Sequence, residues 1–368
     1  MASVRKPKIA CINGFLGAGK TTLILRAAHV LGKRGLRVAI ITNDQGRFLV
    51  DTRRAREAGF PVEEILGGCF CCRFREFLER TDRIVEQHRP DVILAEAVGS
   101  CTDLAATVYR RLRQHPFELA PLTVLVEPDR IRELVGPASP FHDSVKYLFV
   151  QQLAEADLVL LNKSDLLEFG EIASITEDLR QLIGSIPISA VSAQSGEGVR
   201  LWVDQLLTNT PRGRELEVDY EVYAAAEASL GWLNATVELA SPCAFSPKEV
   251  ADGLLTRIQQ SCASPGHAIA HLKIMIVTSE GNDVVALTNS GGVGAWGKPQ
   301  GLPAAREATI IVNARISTAP EALRQLFEDS LEFVASAQQL RFSVTGLECF
   351  SPPAPKRDLE LPALESAT

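Results

Sequence analysis

The sequence lacks any apolar run that approaches the roughly 18 residues from which a membrane-spanning helix is recognised. Its first residues, MASVRKPKIACING, enter a short apolar segment without the apolar core and cleavage site of a signal peptide. We therefore expect a cytoplasmic protein without a membrane partner. Because thiols stay reduced in that compartment, we expect the eight cysteines to be free rather than paired in disulfides.

An excess of positive charge is also absent. The 368 residues carry a formal net charge of −7, and 46% of them are hydrophobic and 23% charged, which is an ordinary composition for a globular protein. A nucleic-acid-binding surface usually appears as a basic excess, so the composition argues against a nucleic-acid partner. At about 150 residues per domain, the length suggests two domains with room for a tail.

The first part of the chain alternates short apolar runs with amphipathic stretches. Examples are KIACIN, TTLILRAAHVLGKRG, LRVAIITN, DVILAEAV and DLVLLN. Strands that alternate with helices in this way predict a mostly parallel sheet covered by helices on both faces. We therefore predict an α/β domain over residues 1–206.

A second, smaller domain is predicted to follow a linker. The polar stretch LTNTPRGRELEV at residues 207–218 predicts that linker. Residues 219–349 predict the order strand, helix, three strands, helix, strand, which resembles a split β-α-β sandwich with one additional strand. Two helices would then lie on one face of an antiparallel sheet, in an α+β domain. The proline-rich, polar residues 350–368 predict a disordered tail.

The segment GFLGAGKTT follows an apolar strand, opens a helix and matches the phosphate-loop pattern G-x-x-x-x-G-K-[ST]. In such a loop backbone N–H groups surround the phosphates, the lysine reaches the β and γ oxygens, and the threonine hydroxyl reaches magnesium. Lys20 is also a predicted catalytic residue, because it faces the charge that develops on the transferred phosphate. The predicted phosphate-binding residues are Gly14, Gly17, Ala18, Gly19, Lys20, Thr21 and Thr22.

A second magnesium partner is expected at the end of another central strand. The segment DVILAEAVG places Glu96 after four apolar residues and Gly99 three positions further on. This spacing is typical of a γ-phosphate sensor. We therefore predict that Glu96 is a catalytic residue that joins Thr21 in the magnesium shell, through water. The alternative is a strand-end carboxylate at the surface.

The segment DLVLLNKSDLL places Asn162, Lys163 and Asp165 directly after a buried strand. A carboxylate there can accept hydrogen bonds from guanine N1–H and N2–H₂, whereas adenine presents the wrong pattern of donors. Asp165 therefore predicts binding of GTP and GDP rather than ATP.

The segment VSAQSGEG follows the next strand. A backbone N–H at Ser192 or Ala193 is predicted to reach the guanine O6. Ser189 and Ala190, three residues earlier, are an alternative placement for the same contact.

Three of the eight cysteines, Cys69, Cys71 and Cys72, lie within four positions in GGCFCCRF. Adjacent cysteines are poor disulfide partners because the bond would distort the peptide between them, whereas soft thiolates select zinc, copper(I) or similar ions. We predict a metal site with one open, exchangeable position, since no fourth ligand lies nearby in sequence: His88 is on the following helix and Cys101 is beyond the next strand. The alternative is a group of small buried hydrophobic side chains.

These motifs carry a resemblance to a known family. GFLGAGKTT, GGCFCC, the E-x-x-G after the next strand and NKSD, in this order and before a smaller domain, resemble the CobW family of metal-handling P-loop GTPases. The resemblance covers residues 8 to about 348, and the C-x-C-C motif is its most specific element. It implies a P-loop NTPase fold that binds GTP and magnesium, hydrolyses GTP and handles zinc, cobalt or another transition metal.

The sequence departs from the family pattern at two places. Members usually read N-E-F-G at the first switch, whereas this chain has TNDQGRFLVD, with Asp44 in place of glutamate and Gln45 in place of phenylalanine. We predict that Asp44 is a fourth metal ligand or a catalytic acid that positions water. Many members also carry a histidine-rich stretch, but here only His267 and His271 come close, and strand alternation favours an ordinary structural role for His271.

Three functions fit these motifs. The first is a GTP-hydrolysing metallochaperone that delivers its metal to a client metalloprotein when the nucleotide changes. The second is a GTP-dependent partner switch with structural or redox-sensing cysteines, and the third is an activator of a cobalamin-dependent enzyme. No arginine finger is identifiable, so we expect slow turnover unless a partner or a nucleotide-dependent homodimer completes the site.

Overall fold

The computed structural model describes residues 6–44, 50–136, 139–263, 267–289, 291–297 and 301–356, with the backbone alone described at Asp44, Asp51 and Val135. Within these ranges the chain forms a parallel sheet between two layers of helices, followed by an antiparallel sheet with its own helices. The prediction of an α/β domain followed by an α+β domain is therefore confirmed.

The first sheet has eight strands: β1 Lys8–Gly14, β2 Val38–Asp44, β3 Val62–Leu66, β4 Val92–Glu96, β5 Glu118–Leu119, β6 Thr123–Val126, β7 Leu158–Leu161 and β8 Ile188–Ala190. Their order is β3-β2-β4-β1-β6-β7-β8, with β5 paired to β1. All of these pairings are parallel.

The helices of this part of the chain are α1 Lys20–Lys33, α2 Val50–Glu57, α3 Phe74–His88, α4 Arg110–Leu112, α5 Pro128–Val135, α6 Asp143–Ala154, α7 Phe169–Ile183, α8 Val199–Thr208 and α9 Tyr220–Ala228. A π-helical turn at Ala105–Tyr109 leads into α4, and a 3₁₀ turn at Ser164–Leu166 follows β7.

The central strands are mostly apolar, as expected for a sheet that helices cover on both faces. Every residue of β4 and β7 is buried. One core lies beneath α1 and α8 and includes Leu23 and Trp202, and the core on the other face includes Phe77 of α3 and Leu148 of α6. Because parallel strands end at the same edge, the loops after β1, β4, β7 and β8 meet there.

The second sheet has six strands: β9 Gly231–Phe245, β10 Ile269–Thr278, β11 Gly281–Leu287, β12 Ala295–Trp296, β13 Ala305–Ile316 and β14 Arg341–Phe350. They pair antiparallel in the order β12-β11-β10-β13-β9-β14. Two helices, α10 Pro247–Ser261 and α11 Pro320–Ala337, pack on one face. From β9 onward the predicted element order agrees with the structure, which adds the two-residue β12; helix α9, before β9, was not predicted.

Side-chain alternation gives the second sheet two different faces. Leu272 and Ile274 of β10 pack in the core beneath the helices. Met275, on the opposite face, packs with Ile311 against Val50 of α2. The face without helices therefore lies against the first domain.

The segment between the domains is held along the first domain. The backbone N–H of Arg212 donates to the Asp157 carboxylate at 2.7 Å, and that of Asp219 donates to the Tyr147 hydroxyl at 2.7 Å. Helix α9, which follows, packs in the first core through Tyr223.

Beyond β14, residues 351–356 of the predicted tail are described, and residues 357–368 lie outside the described part. No helix in the described ranges has both the length and the apolar character that crossing a membrane demands.

Candidate functional site

The phosphate loop connects β1 to α1, as its sequence predicts. Gly19 has a φ of 90°, in the left-handed region that favours glycine, and a Cβ there would lie 2.4 Å from Asn162 Nδ2. The Lys20 ammonium folds over the loop and donates to the Gly14 carbonyl at 2.7 Å. A cation is therefore centred on the loop, where a phosphate would lie.

Thr21 and Glu96 meet beside this loop. The Thr21 hydroxyl donates to Glu96 Oε1 at 2.8 Å, and both side chains are buried. Glu96 is the last residue of β4, which pairs with β1, so adjacent strands bring the two side chains together. A hydroxyl and a carboxylate fit the oxygen ligands that magnesium takes together with substrate phosphates and water.

Asn162 connects the loops that follow β1, β7 and β8. Its Nδ2 donates to the Ala18 carbonyl at 2.8 Å, and its Oδ1 accepts from the Ala193 N–H at 3.0 Å. The Ala193 N–H, one of the two predicted donors to guanine O6, is therefore bonded to Asn162. Ala193 lines a cavity that lies between the two domains. Ser192 is buried, and its hydroxyl accepts a hydrogen bond from the Ser195 N–H at 2.9 Å. The alternative pair, Ser189 and Ala190, lies within β8.

Lys163 and Asp165 follow β7, and both line the cavity between the two domains. The Lys163 ammonium donates to Glu127 Oε2 at 3.0 Å and to the Thr288 hydroxyl at 3.1 Å. Asp165 is exposed in the 3₁₀ turn. Its carboxylate is thus accessible to a base that enters from solvent.

The cavity has a volume of about 680 Å³ and both domains line it. Lys20, Thr21, Thr22, Gly17 and Gly19 line it from the first domain, with Glu96 and Gly99. The second domain lines it through the face of its sheet that carries no helices and through the residue after β11: Trp232, His271, Lys273, Asn313 and Arg315, with Thr288. The sequence did not indicate this second wall, because residues far apart along the chain form it.

Arg130 of α5 joins the two domains beneath the cavity. Its guanidinium is buried and donates to the Ala270 carbonyl at 2.8 Å and also to the Thr288 carbonyl. The guanidinium lies over the Phe15 and Phe141 rings, at 5.3 and 4.9 Å from their centroids. These contacts hold the second sheet against the phosphate loop.

The predicted cysteine site is compact. The Sγ atoms of Cys69, Cys71 and Cys72 all lie within 4.8 Å of one another. Cys69 and Cys72 are separated by 3.2 Å, and Cys71 and Cys72 by 3.9 Å. The motif lies between β3 and α3, where Cys69 and Cys71 are buried and Cys72 is half-buried. Three thiols in this arrangement offer one face to a soft metal ion.

A fourth thiol, which sequence spacing placed far away, joins this group. Cys101 Sγ lies 3.5 Å from Cys71 Sγ, on the loop that follows β4. Hydrogen bonds from Cys101, Cys71 and Cys72 lower the pKa of Cys69 well below its ordinary value, so Cys69 is the preferred thiolate of the group. One feature of the sequence could have indicated this role for Cys101: it lies two residues after the glycine of E-x-x-G. His88, the other residue considered, ends α3.

Three further hydrogen bonds lie around the cysteines. The Asn43 amide donates to the carbonyls of Gly68 at 2.6 Å and Ile65 at 3.1 Å. The Cys72 thiol donates to the carbonyl of Lys356, in the segment after β14, at 3.7 Å.

The sequence analysis also singled out Asp44 and two histidines as residues that could bear on the metal site. The Asp44 side chain and residues 45–49, which include Gln45, lie outside the described residues. His271 lies on β10 and lines the cavity beside the phosphate loop, whereas His267 precedes that strand. The structure therefore brings neither histidine into the cysteine group.

Comparison with known proteins is consistent with this geometry. The family model described as CobW/HypB/UreG, nucleotide-binding domain, matches residues 8–190. The zinc chaperone CobW of Pseudomonas aeruginosa is 29% identical over 231 residues, which cover 54% of this chain and 59% of that protein. The zinc chaperone YjiA of Escherichia coli is 27% identical over 188 residues, or 50% of this chain and 57% of that one. The match thus spans little more than half the length of these relatives.

Among solved structures, the zinc-bound YjiA GTPase of Escherichia coli aligns over 88% of this chain and 98% of that one. The sequence identity is 18% and the TM-score is 0.37.

Proposed function

Residues 8–190 are a nucleotide-binding domain of the CobW/HypB/UreG family, and from this premise we propose that the protein is a GTP-hydrolysing metallochaperone. It holds a transition metal at Cys69, Cys71 and Cys72 and changes its hold on that metal with the nucleotide state. One observation carries the proposal. Asn43 lines the cavity beside the phosphate loop, and its side-chain amide donates a hydrogen bond to the carbonyl of Gly68, the residue before Cys69.

The nucleotide half of the proposal rests on complementary chemistry. Asp165 accepts from the guanine base, and the Lys20 ammonium faces the β and γ phosphates. Thr21 and Glu96 would hold magnesium, which would neutralise negative charge on the phosphate oxygens. Catalysis by this chain is then a matter of positioning and electrostatic stabilisation.

The metal half rests on the donor atoms. Thiolates are soft ligands and suit zinc better than magnesium or calcium. The relatives are named zinc chaperones, which makes zinc the first cargo to test and cobalt the second. A client metalloprotein, a nucleotide-dependent homodimer and a cytoplasmic location remain predictions from the sequence.

The structure also favours a competing function. Cys69 Sγ and Cys72 Sγ are only 3.2 Å apart, a separation from which oxidation could form a disulfide and make the group a redox sensor. In that case the protein would be a GTP-dependent partner switch and would carry no metal. Metal content after purification under reducing conditions separates the two functions, because a sensor would contain none.

Zinc titration tests the metallochaperone directly. The reduced protein is loaded with GDP or with a non-hydrolysable GTP analogue, and zinc affinity is measured against a competing chelator. We expect one zinc per chain and affinities that differ between the two states. Equal affinities would overturn nucleotide-coupled delivery, and an absence of stoichiometric zinc would overturn the metallochaperone itself.

A further inference from the structure

The loop after β4 presents a thiol to the cysteine group from a separate part of the chain. Cys101 is fully buried, with its Sγ 3.5 Å from that of Cys71. Its backbone is fixed on both sides, because its N–H donates to the Val98 carbonyl at 2.9 Å and its carbonyl accepts from Gln152 at 2.8 Å and Asn13 at 3.0 Å. The thiol is therefore held in place by the fold.

Three of the six sulfur–sulfur separations in this set of four lie near those of a tetrahedral shell. Four sulfurs at about 2.3 Å from a tetrahedral zinc lie about 3.8 Å from one another. In the structure the separations are 3.2 Å for Cys69 and Cys72, 3.9 Å for Cys71 and Cys72, and 3.5 Å for Cys71 and Cys101. Cys101 lies outside the group of thiols that are all within 4.8 Å of one another, so it would have to turn further towards that group to complete the shell.

We propose that Cys101 is a fourth sulfur ligand, so that the protein binds its metal through four thiolates rather than three. This inference rests on the proposed metallochaperone function and names the complete ligand set of that site. Helix α3 begins at Phe74, two residues after Cys72. The partial positive charge of its N-terminus thus lies beside the group and favours the negative charge of several thiolates.

The position of Cys101 also gives the site a second connection to the nucleotide. Gly99, two residues earlier, lines the nucleotide cavity, and a Cβ on it would lie 3.0 Å from the backbone nitrogen of Leu16 in the phosphate loop. The segment that would sense the γ-phosphate therefore carries one of the four sulfurs. A movement of this segment would remove a single ligand and leave the three of the C-x-C-C motif.

X-ray absorption of the zinc-loaded, reduced and nucleotide-free protein counts the sulfurs. We expect four sulfur neighbours at about 2.3 Å in the wild type. Cys101→Ala should retain one zinc per chain with three sulfurs and one lighter ligand. It should weaken zinc binding by more than the roughly 10- to 100-fold that loss of an outer-shell partner costs. The matched control is Cys11→Ala, which removes another buried thiol of the same domain and should leave four sulfurs.

The outcomes separate this inference from the function on which it rests. Three sulfurs in the wild type, or an unchanged count in Cys101→Ala, would overturn the inference while the three-thiol metallochaperone stands. No stoichiometric zinc in the wild type would overturn both. If Cys101→Ala does not fold, the wild type still decides, since cobalt(II) absorption distinguishes four thiolate ligands from three.

Discussion

The Asn43 side-chain amide donates a 2.6 Å hydrogen bond to the Gly68 carbonyl, one residue before Cys69. Asn43 is buried near the end of β2 and also lines the nucleotide cavity. A single side chain thus touches both proposed sites. This contact is therefore one route by which nucleotide and metal could be coupled.

Asn43→Ala should therefore weaken the coupling. In the wild type we expect zinc affinity to be higher with the GTP analogue than with GDP, by the roughly 5- to 150-fold typical of coupled sites, and by linkage zinc should tighten the analogue equally. The variant should show a smaller ratio in both titrations. Asn282→Ala is the control, because it removes a contact with Glu57 between the domains without touching the cysteine loop. An undiminished ratio in Asn43→Ala would exclude this route.

Guanine specificity should depend on Asp165. In Asp165→Asn the amide can no longer accept two donors from guanine, so GTP binding should weaken, while xanthosine triphosphate, whose O2 accepts a hydrogen bond, should bind. Nucleotide affinities measured by competition check both expectations. Asp178→Asn, on the exposed side of α7, should behave as the wild type. Unchanged GTP affinity in the Asp165 variant would refute this role.

Hydrolysis should depend on Lys20. Lys20→Ala removes the cation over the phosphate loop, and we expect single-turnover GTP hydrolysis to slow by at least about 100-fold, the cost of one electrostatic contact to a transition state. Lys33→Ala, at the end of the same helix, should leave the rate unchanged. A Lys20 variant that keeps its turnover would show that phosphate chemistry occurs elsewhere.

The parts of the protein that rest on local patterns could be predicted from the sequence. The phosphate loop and the order of strands and helices from β9 onward follow from local sequence patterns. Strand β3, VEEIL, was not predicted, because two glutamates interrupt its short apolar run.

Contacts between distant segments could not be read from the sequence. Cys101 reaches Cys71 only because β4 lies beside β2, whose other neighbour, β3, leads into the cysteine motif. Likewise the second wall of the cavity depends on how one domain packs on the other, through contacts such as Arg130 to Ala270. No periodicity within either segment encodes such contacts.

A buried carboxyl group should make stability depend on pH. Burial raises the pKa of Glu155 to about 8. The unfolded group loses its proton near 4.5, so between these values the folded state binds more protons and stability falls as the pH rises. The slope from this group is up to about 1.4 kcal/mol per pH unit.

Urea unfolding between pH 5.5 and 7.5 checks this slope. Glu155→Gln should flatten the decline, even if the amide lowers stability overall by disturbing the hydrogen bonds to Thr102 and Ala105. Glu177→Gln, on the surface of α7, should keep the wild-type slope. Parallel curves for wild type and Glu155→Gln would show that Glu155 is ionised throughout.

The segment after β14 should shield the thiol group. The Lys356 carbonyl lies 3.7 Å from Cys72 Sγ, and Cys72 is the half-buried member of the group. A chain that ends at Phe350 loses this cover, so metal-free Cys72 should react faster with iodoacetamide, as followed by mass spectrometry of the labelled peptide.

A chain that ends at Lys356 keeps the carbonyl and lacks only residues 357–368, so it should react like the full chain. Equal rates in all three chains would mean that the segment does not cover Cys72 in solution. Faster labelling in both truncated chains would instead assign the protection to residues 357–368. If only the shorter chain reacts faster, residues 351–356 control access to the metal site, and that chain should also release bound zinc to a chelator more quickly than the other two.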